Sequence, residues 1–143
     1  MAATQGGGKG WQMVQVVRRG VVRAEELVRN PKELLQLLTL AERRLDRVNA
    51  GPLTPIKKDL QTLLRLLRAH GEGRYRQLSR KNLALAGLGL LYLVSPLDLL
   101  PDFLPGGFAD DAAVIGFIVN KIRTELVAFE AWERAQGSQT GLV

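Results

Sequence analysis

Hydrophobic residues in the first half of the chain recur at helical spacing. Three stretches each carry one apolar stripe with intervals of three, four and seven residues, the pattern of amphipathic helices that cover a core. The stripes are Trp11, Val14, Val17, Val21 and Val28; Leu34, Leu37, Leu38, Ala41, Leu45 and Val48; and Ile56, Leu60, Leu63, Leu64 and Leu67. No strand-like alternation extends over a useful length. The pattern therefore predicts an all-α fold, a small helical bundle.

Proline and glycine mark the ends of these three helices. Pro31 suits the first position of the second helix, and the sequence from Asn49 to Pro52 ends that helix. Thr54 is expected to act as the N-cap of the third helix, with a proline directly after it. His70 comes just before a Gly-Glu-Gly break. We therefore predict a role for His70 at the helix C-terminus, as a cap or toward the helix dipole, rather than in catalysis.

The second half of the chain has a different character. Leu83 to Val94 carries no charge and consists mostly of Leu, Ala and Gly. A helix that is apolar on every side is buried either in protein or in lipid. Its length is roughly 18 Å at about 1.5 Å per residue, short of the roughly 30 Å hydrocarbon thickness of a bilayer. The pattern favours an apolar hairpin over residues 83–119 that is re-entrant or half-buried, rather than two full membrane spans.

The segment between the two arms of this hairpin is rich in proline and aspartate. Because proline lacks an N–H group and restrains the residue before it, the segment is not one continuous helix. Ser95 is expected as an N-cap, followed by Pro96 at the first helical position and by Asp98, which reaches back toward free amides. A second helix start is predicted at Asp110 and Asp111, whose charges suit a helix N-terminus.

The sequence of this corner resembles the signature of the YkvA-like family, the domain of unknown function 1232 (DUF1232). The matching positions are Ser95, Pro96, Asp98, Pro101, Asp102, Phe103, Pro105, Gly107, Asp110 and Asp111. The resemblance extends over about residues 52–132. One departure is Gly106-Gly107-Phe108, where the family more often has apolar residues around a single glycine. The resemblance implies a small, mostly helical, membrane-associated protein without an established enzymatic activity.

Length and composition indicate one domain of 143 residues without cysteine, which excludes disulfides and thiolate metal sites. We expect residues 1–10 to be disordered, 11–50 to form amphipathic helices, 52–135 to form the DUF1232-like helical region with a helix from Ala112 to Trp132, and 136–143 to be a flexible tail. Residues 1–10 lack the apolar core of a signal peptide. We therefore predict a cytoplasmic N-terminus.

Charge is distributed unevenly along the chain. Residues 1–82 carry 17 Lys and Arg against 7 Asp and Glu, whereas residues 83–143 carry 3 against 7. Such asymmetry is typical of contact with an anionic membrane surface or with nucleic acid. Four cations directly precede the apolar helix and are predicted to face lipid, the alternative being an ordinary solvated face: Arg74, Arg76, Arg80 and Lys81. Nucleic acid is not favoured, because Tyr75 is the one aromatic residue among them.

Candidate chemistry is confined to Asp98, Asp102, Asp110 and Asp111. Several carboxylates brought together suit Mg²⁺ or Ca²⁺, but helix capping explains most of them without a ligand. Asp102, in apolar surroundings, should be exposed, protonated or paired with a cation, for which the candidates are Arg80, Lys81 and Lys121. We assign no catalytic residue and no cofactor.

The leading hypothesis is a non-enzymatic, helical, membrane-associated protein anchored by the apolar hairpin and the basic segment, with an anionic lipid surface as its partner. The alternative is a soluble helical interaction module in which the same hairpin is the core, possibly with a divalent-cation site on the aspartates. A protein partner or self-association stays open in both hypotheses.

Overall fold

A computed structural model describes the backbone of residues 8–51, 53–94 and 107–141, and the side chains of 18–51, 53–94 and 113–137. The fold is an all-α bundle, as predicted, and the described residues contain no strand. The helices are α1 Gly8–Val28, α2 Pro31–Asp46, α3 Lys57–Gly71, α4 Arg80–Val94, α5 Gly107–Lys121 and α6 Arg123–Gly141, with a 3-10 turn at Thr54–Ile56 before α3.

Helix α4 lies at the centre of the bundle. It packs against α1, α2, α3 and α5. Its buried residues lie on all sides of the helix: Ala84, Ala86, Gly87, Leu88, Gly89, Leu90, Leu91, Tyr92 and Leu93. A helix with neighbours on every side needs apolar residues around its whole circumference. The uncharged sequence of residues 83–94 is therefore accounted for by burial within the protein.

Small residues let α1 and α4 approach each other closely. A Cβ atom added at Gly20 on α1 would collide with the side chain of Leu88 on α4. In the reciprocal direction, a Cβ added at Gly87 would lie 2.9 Å from Val28 Cγ1 and 3.3 Å from Ala24 Cβ. Both glycines are thus required by the helix contact itself, since a larger side chain at either position would push the helices apart.

Side-chain hydrogen bonds fix several helix ends. The Oδ1 of Asn30 accepts from the backbone N–H of Glu33 at 3.3 Å, so Asn30 caps α2 and Pro31 follows at its first position. Ser79 caps α4, because its Oγ accepts from the N–H of Asn82 at 3.2 Å. At the other end of α4, Arg44 donates from Nη1 to the carbonyl oxygen of Val94 at 3.0 Å, which satisfies a C-terminal carbonyl.

The predicted cap of the third helix is wrong. Thr54 begins the 3-10 turn instead, and α3 follows it with Ile56 at the N-cap position and no side-chain cap hydrogen bond. A 3-10 turn satisfies early N–H groups through i to i+3 hydrogen bonds. The N–H of Ile56, for example, donates to the carbonyl oxygen of Leu53 at 3.1 Å.

Three predicted boundaries also differ from the structure. Helix α1 begins at Gly8, within the segment 1–10 predicted to be disordered, and α6 continues to Gly141, within the predicted flexible tail. The helix predicted from Ala112 begins earlier, at Gly107. An apolar stripe marks only the turns that need burial, so it does not fix the residue at which a helix begins or ends.

The predicted single helix up to Trp132 is divided into α5 and α6 at Ile122. Helical hydrogen bonding nevertheless passes through this residue. Its N–H donates to the carbonyl oxygen of Ile118 at 3.0 Å, and its own carbonyl accepts from Leu126 at 3.0 Å. Ile122 itself is buried, so the junction belongs to the core.

The two arms of the predicted apolar hairpin, α4 and α5, pack against each other. A Cβ added at Gly89 would lie 3.5 Å from Ile118 Cγ2, an ordinary contact distance. The residues that join the arms, 95–106, lie outside the described part of the chain. Within the described residues, no helix combines the length and hydrophobicity that crossing a bilayer requires.

Candidate functional site

The predicted basic segment is divided between two surfaces of the bundle. Arg76, Arg80 and Lys81 are exposed and line a cleft of about 770 Å³ between α1, the end of α3 and the start of α4. Arg74 lies in a separate groove beside α6. The four cations therefore do not form one continuous face.

The first of these surfaces, the basic cleft, combines cations with aliphatic groups. Its charged and polar side chains are Glu25, Arg29, His70, Arg76, Arg80 and Lys81. Its apolar lining comes from α1, the start of α2 and the first turns of α4: Val21, Val28, Pro31, Leu83, Ala84 and Leu85. This composition matches a ligand that has both an anionic and an apolar part.

Most of the cations in the basic cleft have no ion-pair partner among the residues that the structure describes. Within the described residues, Arg76, Arg80 and Lys81 make no ion pair and no side-chain hydrogen bond. Arg29 has one acidic neighbour, Glu25, at 3.5 Å across one turn of α1, and both side chains are exposed. An exposed ion pair of this kind is weak, so an anionic ligand that binds Arg29 would lose little free energy by replacing Glu25.

His70 lies in the wall of the basic cleft, in the last turn of α3. The chain leaves α3 through Gly73 at φ +80°, with the N–H of Arg74 donating to Ala69 O at 2.9 Å and that of Gly73 to His70 O at 3.0 Å. This pair of bonds is a Schellman motif, which requires a left-handed residue.

The imidazole of His70 is held in its neutral form. Burial lowers its pKa from 6.5, the nearby Arg76 guanidinium lowers it further, and backbone contact with Tyr75 partly opposes these effects. Its Nδ1 is buried and makes no hydrogen bond of normal geometry within the described part of the chain. His70 does lie in the last turn of α3, as predicted, and a lowered pKa reduces the positive charge that it can add to the helix C-terminus.

The second surface, the paired groove, has a volume of about 340 Å³ and is lined by Arg65, Arg68, Arg74, Phe129, Trp132, Glu133 and Gln136. Its three arginines all have carboxylate partners. Arg65 donates to both oxygens of Glu133 at 2.8 and 3.0 Å, and Glu133 accordingly raises the pKa of Arg65. Arg68 binds Glu42 in the same two-pronged way, at 3.2 and 2.6 Å, and Arg74 binds Glu72 at 3.0 and 2.6 Å.

An aromatic cluster forms the floor of the paired groove. Tyr75 is buried and meets Phe129 edge to face at 4.9 Å between ring centroids and Trp132 at 5.1 Å. Phe129 and Trp132 stack at 5.5 Å. Tyr75 is therefore unavailable for stacking on a nucleic-acid base. Trp132, which membrane-interface preference would place at a bilayer surface, is half-buried in this cluster instead.

The predicted corner lies largely outside the described residues. This applies to Ser95, Pro96, Asp98, Pro101, Asp102 and Pro105. Gly107 is the first residue of α5, and the backbone of Asp110 and Asp111 belongs to the start of that helix, although their side chains are not described. In the part of the chain that is described, no three His, Cys, Asp or Glu side chains converge as metal ligands. The cation site on the aspartates stays a prediction.

Sequence reasoning missed the contribution of α1 to the basic cleft. Arg29, Val21 and Val28 lie about 50 residues before the basic segment, and no local spacing links them to it. The cap at Ser79 had a local signal, since serine directly before a helix is a preferred N-cap. That cap determines where Arg80 and Lys81 are placed, as the first two residues of α4.

The comparisons with known proteins concern mainly α4 and α5. The family described as "Protein of unknown function (DUF1232)" matches residues 82–117. The chain is also 42% identical over 74 residues to a Bacillus subtilis (strain 168) protein named "Uncharacterized membrane protein YkvA", covering 51% of this chain and 70% of the relative. No solved structure matches the chain. With this identity and coverage, and with the corner motif that predicted the same assignment, the chain belongs to the YkvA-like DUF1232 family.

Proposed function

We propose that this protein is a non-enzymatic, helical, membrane-associated protein that binds anionic bilayers through the basic cleft. The observation that carries the proposal is a set of three exposed cations beside an aliphatic lining, namely Arg76, Arg80 and Lys81, which have no ion-pair partner within the described part of the chain. The name of the Bacillus relative, which describes a membrane protein, supports the same location. The cations and aliphatic side chains of the cleft suit the binding of a ligand rather than the catalysis of a reaction.

The charge in the cleft is sufficient for peripheral attachment. A cation near an anionic leaflet contributes about 1 kcal/mol, so three contribute roughly 3 kcal/mol, or about a hundredfold in affinity. Because these cations have no partner to give up among the described residues, little of that free energy is lost on binding. The cytoplasmic leaflet is the anionic one in most membranes, which agrees with a cytoplasmic N-terminus.

The proposed contact differs from the one first expected for α4. This helix is surrounded by α1, α2, α3 and α5, so its leucines from Leu88 to Leu93 are covered by the protein in this conformation. The burial supports the part of the alternative hypothesis that treats the hairpin as the core. In the proposal, α4 stabilises the bundle, and its N-terminal turn presents Arg80 and Lys81 to lipid.

Vesicle co-sedimentation tests the proposal with a charge-matched pair of variants. The test variant is Arg76→Gln, Arg80→Gln, Lys81→Gln. The control is Arg43→Gln, Arg47→Gln, Lys58→Gln, which removes three exposed cations that lie outside the cleft and make no side-chain ion pair within the described residues. The test variant should lose about a hundredfold in affinity for phosphatidylglycerol vesicles, and the control much less.

Several results would contradict the proposal. Equal losses in both variants would indicate diffuse attraction by net charge. Equal binding to phosphatidylcholine vesicles, or binding that persists in the test variant at high salt, would place attachment elsewhere, for example in residues 95–106. A protein that stays monodisperse without detergent and ignores every vesicle would favour the interaction-module alternative.

A further inference from the structure

We infer that the basic cleft is a stoichiometric site for one acidic phospholipid, with the phosphoryl head among Arg76, Arg80 and Lys81 and one acyl chain along the aliphatic lining. The inference rests on the proposed function and deepens it, since a membrane surface alone needs no pocket. The observations that carry it are the volume of the cleft, its net charge and the arrangement of its apolar side chains.

The volume suits a ligand of defined size. About 770 Å³ lies within the range of roughly 300–1,000 Å³ that is typical of small-molecule sites. Several separate elements form the walls, namely α1, the start of α2, the end of α3 with the connection that follows it, and the start of α4. Binding to a membrane by charge attraction alone needs only an exposed basic surface. A concave site of this volume is not needed for it.

The charge of the cleft suits a phosphoryl group. Four cations and Glu25 face it, a net charge of three positive with His70 neutral (4 − 1 = 3). The head of phosphatidic acid is a phosphate monoester, which carries roughly −1.5 to −2 at neutral pH. Arginine binds phosphate oxygens in a two-pronged manner, and lysine adds a point charge. Glu25 repels an anion from the Arg29 end, so the head is placed toward Arg76, Arg80 and Lys81.

The apolar lining distinguishes a lipid from free phosphate. Val21, Val28, Leu83 and Leu85 are all half-buried and line the same cleft as the cations. Inorganic phosphate would leave them in contact with water. Covering them with as few as two methylene groups of an acyl chain raises affinity by about tenfold.

His70 provides a direct reporter for occupancy. It is the single histidine of the sequence, and it lines the cleft. The charged groups around it are Glu25 and Arg29 on α1, Arg76 in the connection, and Arg80 and Lys81 on α4. A phosphoryl anion bound among these cations would offset the effect of Arg76 and raise the pKa of His70.

The experiment follows the His70 ring resonances of the full chain by NMR. Dihexanoyl phosphatidic acid, kept below its micelle concentration, should shift them saturably with one lipid per chain and raise the His70 pKa. Inorganic phosphate should bind about tenfold more weakly at the same site. Dihexanoyl phosphatidylcholine, which carries no net charge, should produce no saturable shift.

Three single variants separate the contributions of the head and the chain. Arg80→Gln should weaken both the lipid and inorganic phosphate about fivefold to tenfold. Leu85→Ala should weaken the lipid about tenfold and leave inorganic phosphate unchanged. Arg43→Gln, outside the cleft, should change neither. Circular dichroism establishes that each variant is folded.

Each failure has a distinct meaning. Binding to anionic vesicles without a saturable His70 response to phosphatidic acid would overturn the lipid site and leave the proposed membrane association standing. Inorganic phosphate that binds as tightly as phosphatidic acid would overturn the assignment of a lipid. A saturable response in the absence of any vesicle binding would support the site and overturn the proposed function.

Discussion

The basic cleft and the paired groove use the same residue type in opposite ways. Both contain arginines from residues 65–80 of the chain. In the paired groove every arginine binds a carboxylate, and an aromatic cluster lies beneath them. In the basic cleft the cations from Arg76 to Lys81 have no such partners within the described residues, and the groups beneath them are aliphatic.

The difference teaches that positive charge by itself does not indicate a binding surface. A paired arginine has already used its donors, and an external anion would have to compete with a carboxylate held at 2.6–3.2 Å. An unpaired arginine beside apolar side chains retains its donors for a ligand. We therefore assign stability to the paired groove and binding to the basic cleft, and the following predictions challenge that division.

The largest expected effect is on the aromatic floor of the paired groove. Phe129→Ala should reduce the free energy of unfolding by about 3–5 kcal/mol, because it removes a fully buried ring that contacts both Tyr75 and Trp132. Leu85→Ala, at a half-buried site in the basic cleft, should cost clearly less. Urea unfolding measures the loss of stability in each of the two variants. Equal losses of stability at the two sites would contradict the assignment of stability to the paired groove and binding to the basic cleft.

The next effect concerns the close contact between α1 and α4, in which Gly87 approaches Val28, a residue that also lines the basic cleft. Gly87→Leu should destabilise the protein by about 1–3 kcal/mol, because the new side chain would meet Ala24 and Val28 on α1. Gly116→Ala, at a helical glycine with open space around it, should instead raise stability by up to about 1 kcal/mol. Thermal unfolding measures the stability of both variants. If Gly87→Leu left the stability unchanged, α1 would be free to move away from α4.

A smaller effect on stability is expected when a paired arginine, Arg68, and an arginine of the basic cleft, Arg76, are each replaced. Arg68→Ala should cost about 1 kcal/mol, because it leaves Glu42 without its two-pronged partner. Arg76→Ala should change stability by less than about 0.5 kcal/mol. A double-mutant cycle with Glu42→Ala measures the Arg68 interaction, and a coupling energy near zero would mean that the paired groove is no more structural than the cleft.

The smallest effect is the pH dependence contributed by His70. Because its pKa in the folded protein lies below 6.5, the unfolded chain binds the proton more readily than the folded one. This contribution to stability is therefore present above about pH 6.5 and is lost as the pH falls through that value toward the folded pKa. Urea unfolding between about pH 7.5 and pH 5.5 should show a steeper decline for the natural chain than for His70→Gln. Identical declines would contradict the lowered pKa of this half-buried imidazole.

Much of the fold was predictable because its signals are local. The stripes of the first three helices, the start of α2 at Pro31 and the apolar α4 all follow from residues within a few turns of each other. The prediction of an N-cap failed at Thr54, because a threonine followed by proline suits both the N-cap of an α-helix and the start of a 3-10 turn. The candidate site was predicted less well. Arg76, Arg80 and Lys81 were identified as cations near an apolar helix, but their separation from Arg74 was not.

The sequence by itself determined an all-α chain, its helix order and its membership of the YkvA-like family, because periodicity and the proline corner act over short distances. Only the tertiary structure decided what covers α4 and which arginines are paired. Both depend on contacts between residues far apart in the chain, such as Gly20 with Leu88 and Arg65 with Glu133. Local patterns carry no information about such distant partners, so the neutral state of His70 and the composition of the basic cleft emerged only from packing.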